Sequence, residues 1–197
     1  MGVAQYQLHQ DDTRLVARAQ AGDQAAFRQL FEAYSPLVYR IAMRMVGDEG
    51  DAADLTQDIF VRAYEKLGSL HDGQAFHAWI TRLAVNMAHD RARRRRPLTF
   101  SLDASPPGTD AGMEWQLPST TDGAEEQLLT SELSEQLRKA VLSLSVDHRS
   151  VVVLHHLEGM PVEQIANTLA VPIGTIKSRL ARARAELKKL LEGYLNR

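Results

Sequence analysis

Two clusters of cations are the residues of this chain whose types and spacing suit chemistry, and that chemistry is the grip on a polyanion. One runs along Lys177, Arg179, Arg182, Arg184, Lys188 and Lys189, with Glu186 the one acid between them. At 100° per residue, Ser178 and Arg182 point away from an apolar stripe of Ile176, Leu180, Ala183, Leu187 and Leu190, with Thr175 and Arg179 on one flank and Lys177 on the other. Arg and Lys so placed can reach guanine acceptors or phosphates, although a lone basic helix is equally well a solvated surface. The other cluster is Arg91, Arg93, Arg94, Arg95 and Arg96. Cations at a helix C-terminus are favourable in themselves, which accounts for the charge. It does not account for Phe76, Trp79 and Asn86 earlier on the same segment. Aromatic faces beside a cationic helix suit single-stranded nucleic acid, while Trp79 by itself reads at least as well as core.

Bond-making chemistry finds no support. His71, His77 and His89 lack the i, i+4 spacing of a helical zinc pair, and the adjacent His155 and His156 face different sides of a helix. There is no glycine-rich phosphate loop, no nucleophile elbow and no cysteine, so no thiolate site or disulfide. The expectation is no catalytic residue, no metal, no cofactor and no small-molecule substrate.

The elements that must position these cations are helices. Of 197 residues 44% are apolar, ordinary for a folded chain, and 23 basic against 25 acidic residues leave a net charge of −2. That total does not suggest a nucleic-acid partner, so the segregation of charge has to carry the case. Asp48, Glu49, Asp51, Asp54, Asp58 and Glu65 gather on one segment, which disfavours DNA and suits either a protein partner or plain solvation. The opening MGVAQYQLHQ lacks the basic start and apolar stretch of a secretory signal, and Tyr6 stands where myristoylation needs Ser or Thr. No apolar run approaches the ~20 residues that span a bilayer, so a soluble, intracellular protein without membrane insertion is expected.

Three zones follow one another. Residues 11–96 carry a helical pattern, residues 97–123 shift to Pro, Gly, Ser, Thr and Asp, and the pattern resumes over 124–197. Without β-branched alternation, the fold class is all-α: two small helical domains on a linker whose composition reads as flexible, with Phe100 and Trp115 too few to build a core. In the first domain Asp11 or Asp12 caps a short helix that Gly22 stops. Asp23 caps a long one, with Phe27, Leu30, Phe31, Tyr34, Val38, Ile41 and Met45 inward and a kink expected at Pro36. Asp51 caps a third, ending at Gly68, and a fourth runs from about Gln74 to Arg95.

The second domain reads as helices over Glu125–Leu144, Asp147–Leu157, Pro161–Leu169 and Ile173–Leu191. The last two, separated by Ala170–Pro172, fit a helix-turn-helix. Pro161 suits a first helical turn, small Ala166 lets two helices cross closely, Pro172 breaks the first helix and Ile176 locks the second onto it. Such a unit sets its second helix in the major groove, N-terminal turns against the base edges. Behind that frame the basic helix reads as a DNA reader.

Four segments carry a family resemblance: GDQAAFRQLFEAY, DLTQDIFVRAYEKL, AFHAWITRLAVNMAHDRARRR and EQIANTLAVPIGTIKSRLARARAEL. In this order and spacing the chain resembles, over about residues 11 to 195, the extracytoplasmic function group (group 4) of sigma-70 RNA polymerase sigma factors. The resemblance implies a region 2 domain over 11–96 that binds the core polymerase clamp and melts the −10 element. It implies a winged-helix-like region 4 domain over 124–197 that reads the −35 element, beside the beta-prime clamp and beta flap as polymerase contacts.

By position, Asp54, Gln57, Asp58 and Arg62 match the clamp interface. Gly68, Ser69, Leu70 and His71 match the loop that captures a flipped −10 base, with Asn86 lining the pocket, and Trp79, Arg82, Arg91, Arg93 and Arg94 lie along the opened strand and its upstream duplex. Lys177, Ser178 and Arg182 match the −35 contacts, with Thr175 and Arg179 in support. Leu70 stands where many relatives carry an aromatic, and Ala181 is small where some place a larger residue. The family also implies a bacterial cytoplasmic address, an anti-sigma partner able to hold the chain at the membrane, and, in its long-linker subgroup, a linker threaded toward the polymerase active centre. A duplex-binding regulator independent of polymerase explains Pro161–Leu191 equally well, but leaves the acidic helix, Trp79, Asn86 and the arginine cluster unexplained.

Overall fold

The structure, a computed structural model, describes residues 12–95 and 124–195. The expected linker, with Phe100 and Trp115, lies outside the described residues, as do Asp11 and Arg96. Among the described residues every regular element is helical, as the missing strand pattern requires.

The first half is built from α1 (12–20), α2 (Gln24–Val46), α3 (Glu49–Lys66) and α4 (Phe76–Arg95). Gly22, at φ +93°, makes the left-handed turn out of α1. Asp23 then caps α2, accepting hydrogen bonds from the Ala25 and Ala26 amides at 2.9 and 3.1 Å. Steps of three and four bury Leu30, Tyr34, Val38, Ile41 and Met45. One expectation fails here. Phe31 is 40% exposed, packed edge-on against Phe60 at the rim instead of inward, because it lies a full 100° past Leu30 on a helix covered on one side. Pro36 lies inside α2, which continues on both sides of it. The α3 cap is Asp48, which accepts from the Asp51 amide at 2.9 Å; Asp51 is itself a buried first-turn residue paired with Arg91 at 3.2 Å. Asp72 caps a single 3-10 turn, Gly73–Ala75, that leads into α4, whose Phe76, Ile80, Ala84 and Ala88 are fully buried.

The second half holds α5 (Ala124–Ser143), α6 (Val146–Val152), α7 (Val162–Leu169) and α8 (Ile173–Leu195). Helix α6 opens at its end into a π turn, Val153–Leu157, closed by bonds from Glu158 N to Val153 O and Met160 N to Leu154 O, both 2.9 Å. Between α7 and α8, Ala170 takes the left-handed conformation at φ +53°, unique among described non-glycine residues. Its neighbour Val171 returns an amide to Ala166 O at 3.0 Å. Ile165, Ala166, Ile176, Leu180 and Ala183 are buried across that corner, so the helix-turn-helix is present as expected.

The two halves share one core, which the sequence reading did not anticipate. Helix α4 packs on α6 and α7, and α2 packs on α5 and the π turn. Arg149 on α6 is 5% exposed and donates to the carbonyls of Met45, Leu142 and Leu144. Arg138 on α5 donates to Gly47 O at 3.2 Å. Glu158, just past the π turn, is paired with both Arg40 and Arg44 of α2.

Candidate nucleic-acid interface

On α8, Lys177, Ser178 and Arg182 are exposed and Thr175 is half-buried. The Ser178 hydroxyl donates back to Thr175 O at 2.9 Å, which holds it against the helix. Arg179 is not free: its guanidinium sits 3.0 Å from Asp147 Oδ2 on α6. The other oxygen of that carboxylate, Oδ1, lies 2.9 Å from His89 Nε2 on α4. Partial burial pushes the Asp147 carboxyl up, but the His89 bond and the charges of Arg179, His89 and His148 outweigh it and hold it below the ordinary carboxylate value. Of the predicted inner stripe, Ile176, Leu180 and Ala183 are buried, Leu187 is half-buried, and Leu190 is 45% exposed. Leu190 therefore does not belong to the core; Lys188 and Lys189 beside it are exposed too, so burial along α8 ends near Leu187.

Along α4, Trp79, Arg82, Asn86 and Arg93 follow one another at steps of three, four and seven, which is one helix face. Arg82, Asn86, Arg93 and Arg94 are exposed. Trp79 is half-buried, its ring tilted 36° on Phe76 at a centroid distance of 5.7 Å, while Phe76 lies fully buried against Tyr34. Trp79 thus belongs in part to the core, resting on Phe76 and not fully covered. Arg91 is turned the other way, toward Asp51.

The loop after α3 places Gly68, Ser69 and His71 outward and the Leu70 side chain inward, at 9% exposure. Gln20 of α1 donates to both Leu67 O (2.9 Å) and Leu70 O (2.8 Å), clamping the loop's backbone. Gln20 escaped the sequence reading because a polar residue at a helix end carries no periodic signal.

Asp54, Gln57, Asp58 and Arg62 are all exposed on one side of α3, with Arg62 paired to Glu65 at 3.0 Å. Beside them stand Val61, 62% exposed, Tyr64, 50% exposed, and Phe31. An open groove of about 370 Å³ runs between α2 and α3, lined by Phe31, Ser35, Pro36, Tyr39, Thr56 and Gln57. Exposed apolar and acidic groups side by side suit a protein partner, and the apolar members went unrecognised because the α2 periodicity assigned Phe31 to the interior. Among the described residues no three His, Asp or Glu side chains gather as a metal site, and no helix is long and apolar enough to cross a membrane.

Two family models match the chain: Sigma-70 region 2 over residues 30–97 and Sigma-70, region 4 over residues 134–187. The ECF RNA polymerase sigma factor SigW of Bacillus subtilis is 32% identical over 178 residues, 89% of this chain and 94% of that protein. The ECF RNA polymerase sigma-E factor of Escherichia coli K12 is 33% identical over 189 residues, covering 94% and 97%. Among solved structures, CnrH in complex with the cytosolic domain of CnrY is 26% identical with a TM-score of 0.65, over 93% of this chain and 98% of that one. RpoE of Bartonella quintana in complex with the anti-sigma factor NepR superposes with a TM-score of 0.58 at 24% identity, a likeness of fold.

Proposed function

Because the chain belongs to the extracytoplasmic function group of sigma-70 RNA polymerase sigma factors, we propose that it divides promoter recognition between its two halves. As a sigma factor it binds core RNA polymerase, recognises −10 and −35 promoter elements and promotes strand opening. The assignment of labour is our reading. Residues 11–96 take the clamp and the −10 element, 124–197 take the −35 element, and 97–123 connect them.

The observation that carries this is the separation of unlike surfaces on one frame. The acidic, partly apolar side of α3 offers Asp54, Gln57, Asp58 and Arg62, with Val61, Tyr64 and Phe31, to the polymerase clamp. The α4 face of Trp79, Arg82, Asn86, Arg93 and Arg94, with the Gly68–His71 loop, receives the −10 strand, while Arg91, turned toward Asp51, stands apart from that face. Leu70, being inward, supports that loop from below, and its backbone is presented by Gln20. Flipping a base costs a few kcal/mol, and stacking plus hydrogen bonds at such a face return about that much. On α8, Lys177, Ser178 and Arg182 meet −35 bases or phosphates, with Thr175 and Arg179 in support. No step of this mechanism asks this chain for catalysis, and polymerase supplies the chemistry. A solved relative is bound to an anti-sigma factor, and we extend such a partner, able to hold the chain at a membrane, to this protein.

The test is transcription by core polymerase with the purified chain on a genomic promoter library, followed by sequencing of RNA 5′ ends. Initiation downstream of a shared −10 and −35 pair is the expected result. Duplex binding without recruitment of core polymerase would instead identify a polymerase-independent regulator.

A further inference from the structure

We infer that Gln20 is a positioning residue for −10 recognition: from the end of α1 it fixes the backbone of the Gly68–His71 loop in the shape that receives the base. The inference rests on the −10 assignment of that loop above and deepens it, since no residue assigned there to DNA belongs to α1.

The geometry is a clamp on main chain. Gln20 Nε2 donates to Leu67 O at 2.9 Å and to Leu70 O at 2.8 Å. Both partners are carbonyls, which only accept, so the amide nitrogen and not its oxygen must face them. The two pinned carbonyls bracket Gly68 and Ser69, both exposed, and the Leu70 amide closes the turn by donating to Leu67 O at 3.0 Å. Leu70 turns its side chain inward, so packing holds the loop from beneath while Gln20 holds it from the flank. Gln20 is itself exposed and adds little to the core. Its contribution lies in where it sets these two carbonyls.

A clamp is only as fixed as its mount, and α1 is mounted on α2 at both ends. Asp12, 3% exposed, accepts from the Tyr34 hydroxyl. Burial, then the Asp12 carboxylate, push the pKa of that hydroxyl up, so it stays a donor. Arg18 donates through Nε and Nη2 to Oδ2 of Asp23, the cap of α2, at 2.9 and 2.6 Å. Val16 and Ala19 are buried between these ends. A second touch on the loop segment comes at Gly73, where a Cβ would stand 2.6 Å from Thr13 Cα, so the missing side chain lets α1 lie this close. From Thr13 to Gln20 the helix covers roughly 10 Å at about 1.5 Å per residue. Helix α1 is therefore a splint along residues 67–73, touching that segment at both ends. Tyr34 also packs edge-on against Phe76, the ring that supports Trp79, at 5.0 Å, so the splint and the α4 face share one footing.

Gln20→Met keeps the length of the side chain and removes its donor. The full chain is assayed with core polymerase on a promoter taken from the library above, its −10 and −35 positions substituted base by base. Wild type should prefer the matched base within the −10 element. Gln20→Met should weaken that preference by about 3- to 10-fold, the worth of one net hydrogen bond, while preference at −35 positions stays as it was. A loss of stability alone lowers initiation from every promoter alike and leaves the ratio untouched, so the ratio separates positioning from support. Gln20→Lys, which puts donors back at that reach, should recover the preference.

Hydrogen exchange of the free chain gives a reading independent of promoter and polymerase. The Leu70 amide should exchange about 3- to 10-fold faster in Gln20→Met than in the wild type. An unchanged −10 preference in folded Gln20→Met, or unchanged exchange at Leu70, overturns the proposal. Wild-type protein that initiates without base preference at −10 refutes the assignment of the loop instead, and the exchange result then still decides whether Gln20 holds it.

Discussion

Asp147→Asn should tighten binding of the assembled holoenzyme to promoter DNA by roughly 3- to 10-fold. Arg179 has to leave the Asp147 carboxylate, 3.0 Å away, before its guanidinium can serve a phosphate or a base. The side chains are 51% and 26% exposed, so the pair is worth only about 0.2–1 kcal/mol after solvent screening. The carboxylate also repels the backbone it faces; a unit charge ~10 Å from a phosphate contributes about 0.4 kcal/mol in water. Together these give roughly 0.6–1.4 kcal/mol, and ~1.4 kcal/mol is tenfold. The holoenzyme is the right form to assay, because it is the form that engages a promoter, and Asp147 and Arg179 both lie in the second half and so stay paired within it. Titration of a fluorescent promoter duplex over a range of salt gives both affinity and slope. A released Arg179 that neutralises one more phosphate steepens the log–log slope by about 0.9. Arg179→Ala should erase the gain, making the double variant no better than Arg179→Ala alone. Unchanged or weaker binding by folded Asp147→Asn, at an unchanged slope, would show that Arg179 is not restrained from DNA by this carboxylate.

Three further outcomes are expected. Arg182→Ala, which removes an exposed cation that has no intramolecular partner to release, should flatten the salt slope by about 1 and weaken −35-dependent binding, read from the same titrations. Phe76→Ala should destabilise the chain by about 3–5 kcal/mol in urea unfolding, since the ring is wholly buried between Tyr34 and Trp79; a loss under ~1 kcal/mol would contradict its place at the base of the α4 face. Burial, then the charges of His155 and Arg184, lower the His156 pKa from its ordinary 6.5. The unfolded chain therefore takes up a proton more readily than the folded one, and this contribution to stability is present above pH 6.5 and lost as pH falls below it. His156→Gln should show a smaller drop in unfolding midpoint between pH 7 and 5.5 than the wild type.

The helix-turn-helix was legible because its chemistry is local. Ala166 and Ile176 are buried across the corner as expected, whereas Pro161 caps α7 from just outside it and α7 ends at left-handed Ala170, two residues before Pro172. The α4 face was legible for the same reason, with Trp79, Arg82 and Asn86 on a single helix. Charge patterning singled out the exposed acids of α3 but missed the apolar Phe31 beside them, since periodicity cannot tell the edge of a stripe (Phe31) from its centre (Leu30). The cap at Asp48 was misassigned to Asp51 because three acids crowd that turn and only coordinates tell which carboxylate meets which amide. The seam between the two halves was invisible for a deeper reason. Arg44 and Glu158 stand 114 positions apart, and nothing short-range in either neighbourhood names the other.

The π turn at Val153–Leu157 bears on how this molecule tolerates insertion and deletion. A π turn is an α-helix carrying one surplus residue, so trimming a single position there lets the helix continue smoothly while rotating all that follows by about 100°. Glu158 would then swing off Arg40 and Arg44, and α7 and α8 would turn with it relative to α6. Removing one residue here would therefore reorient α7 on the α4 surface against which it packs.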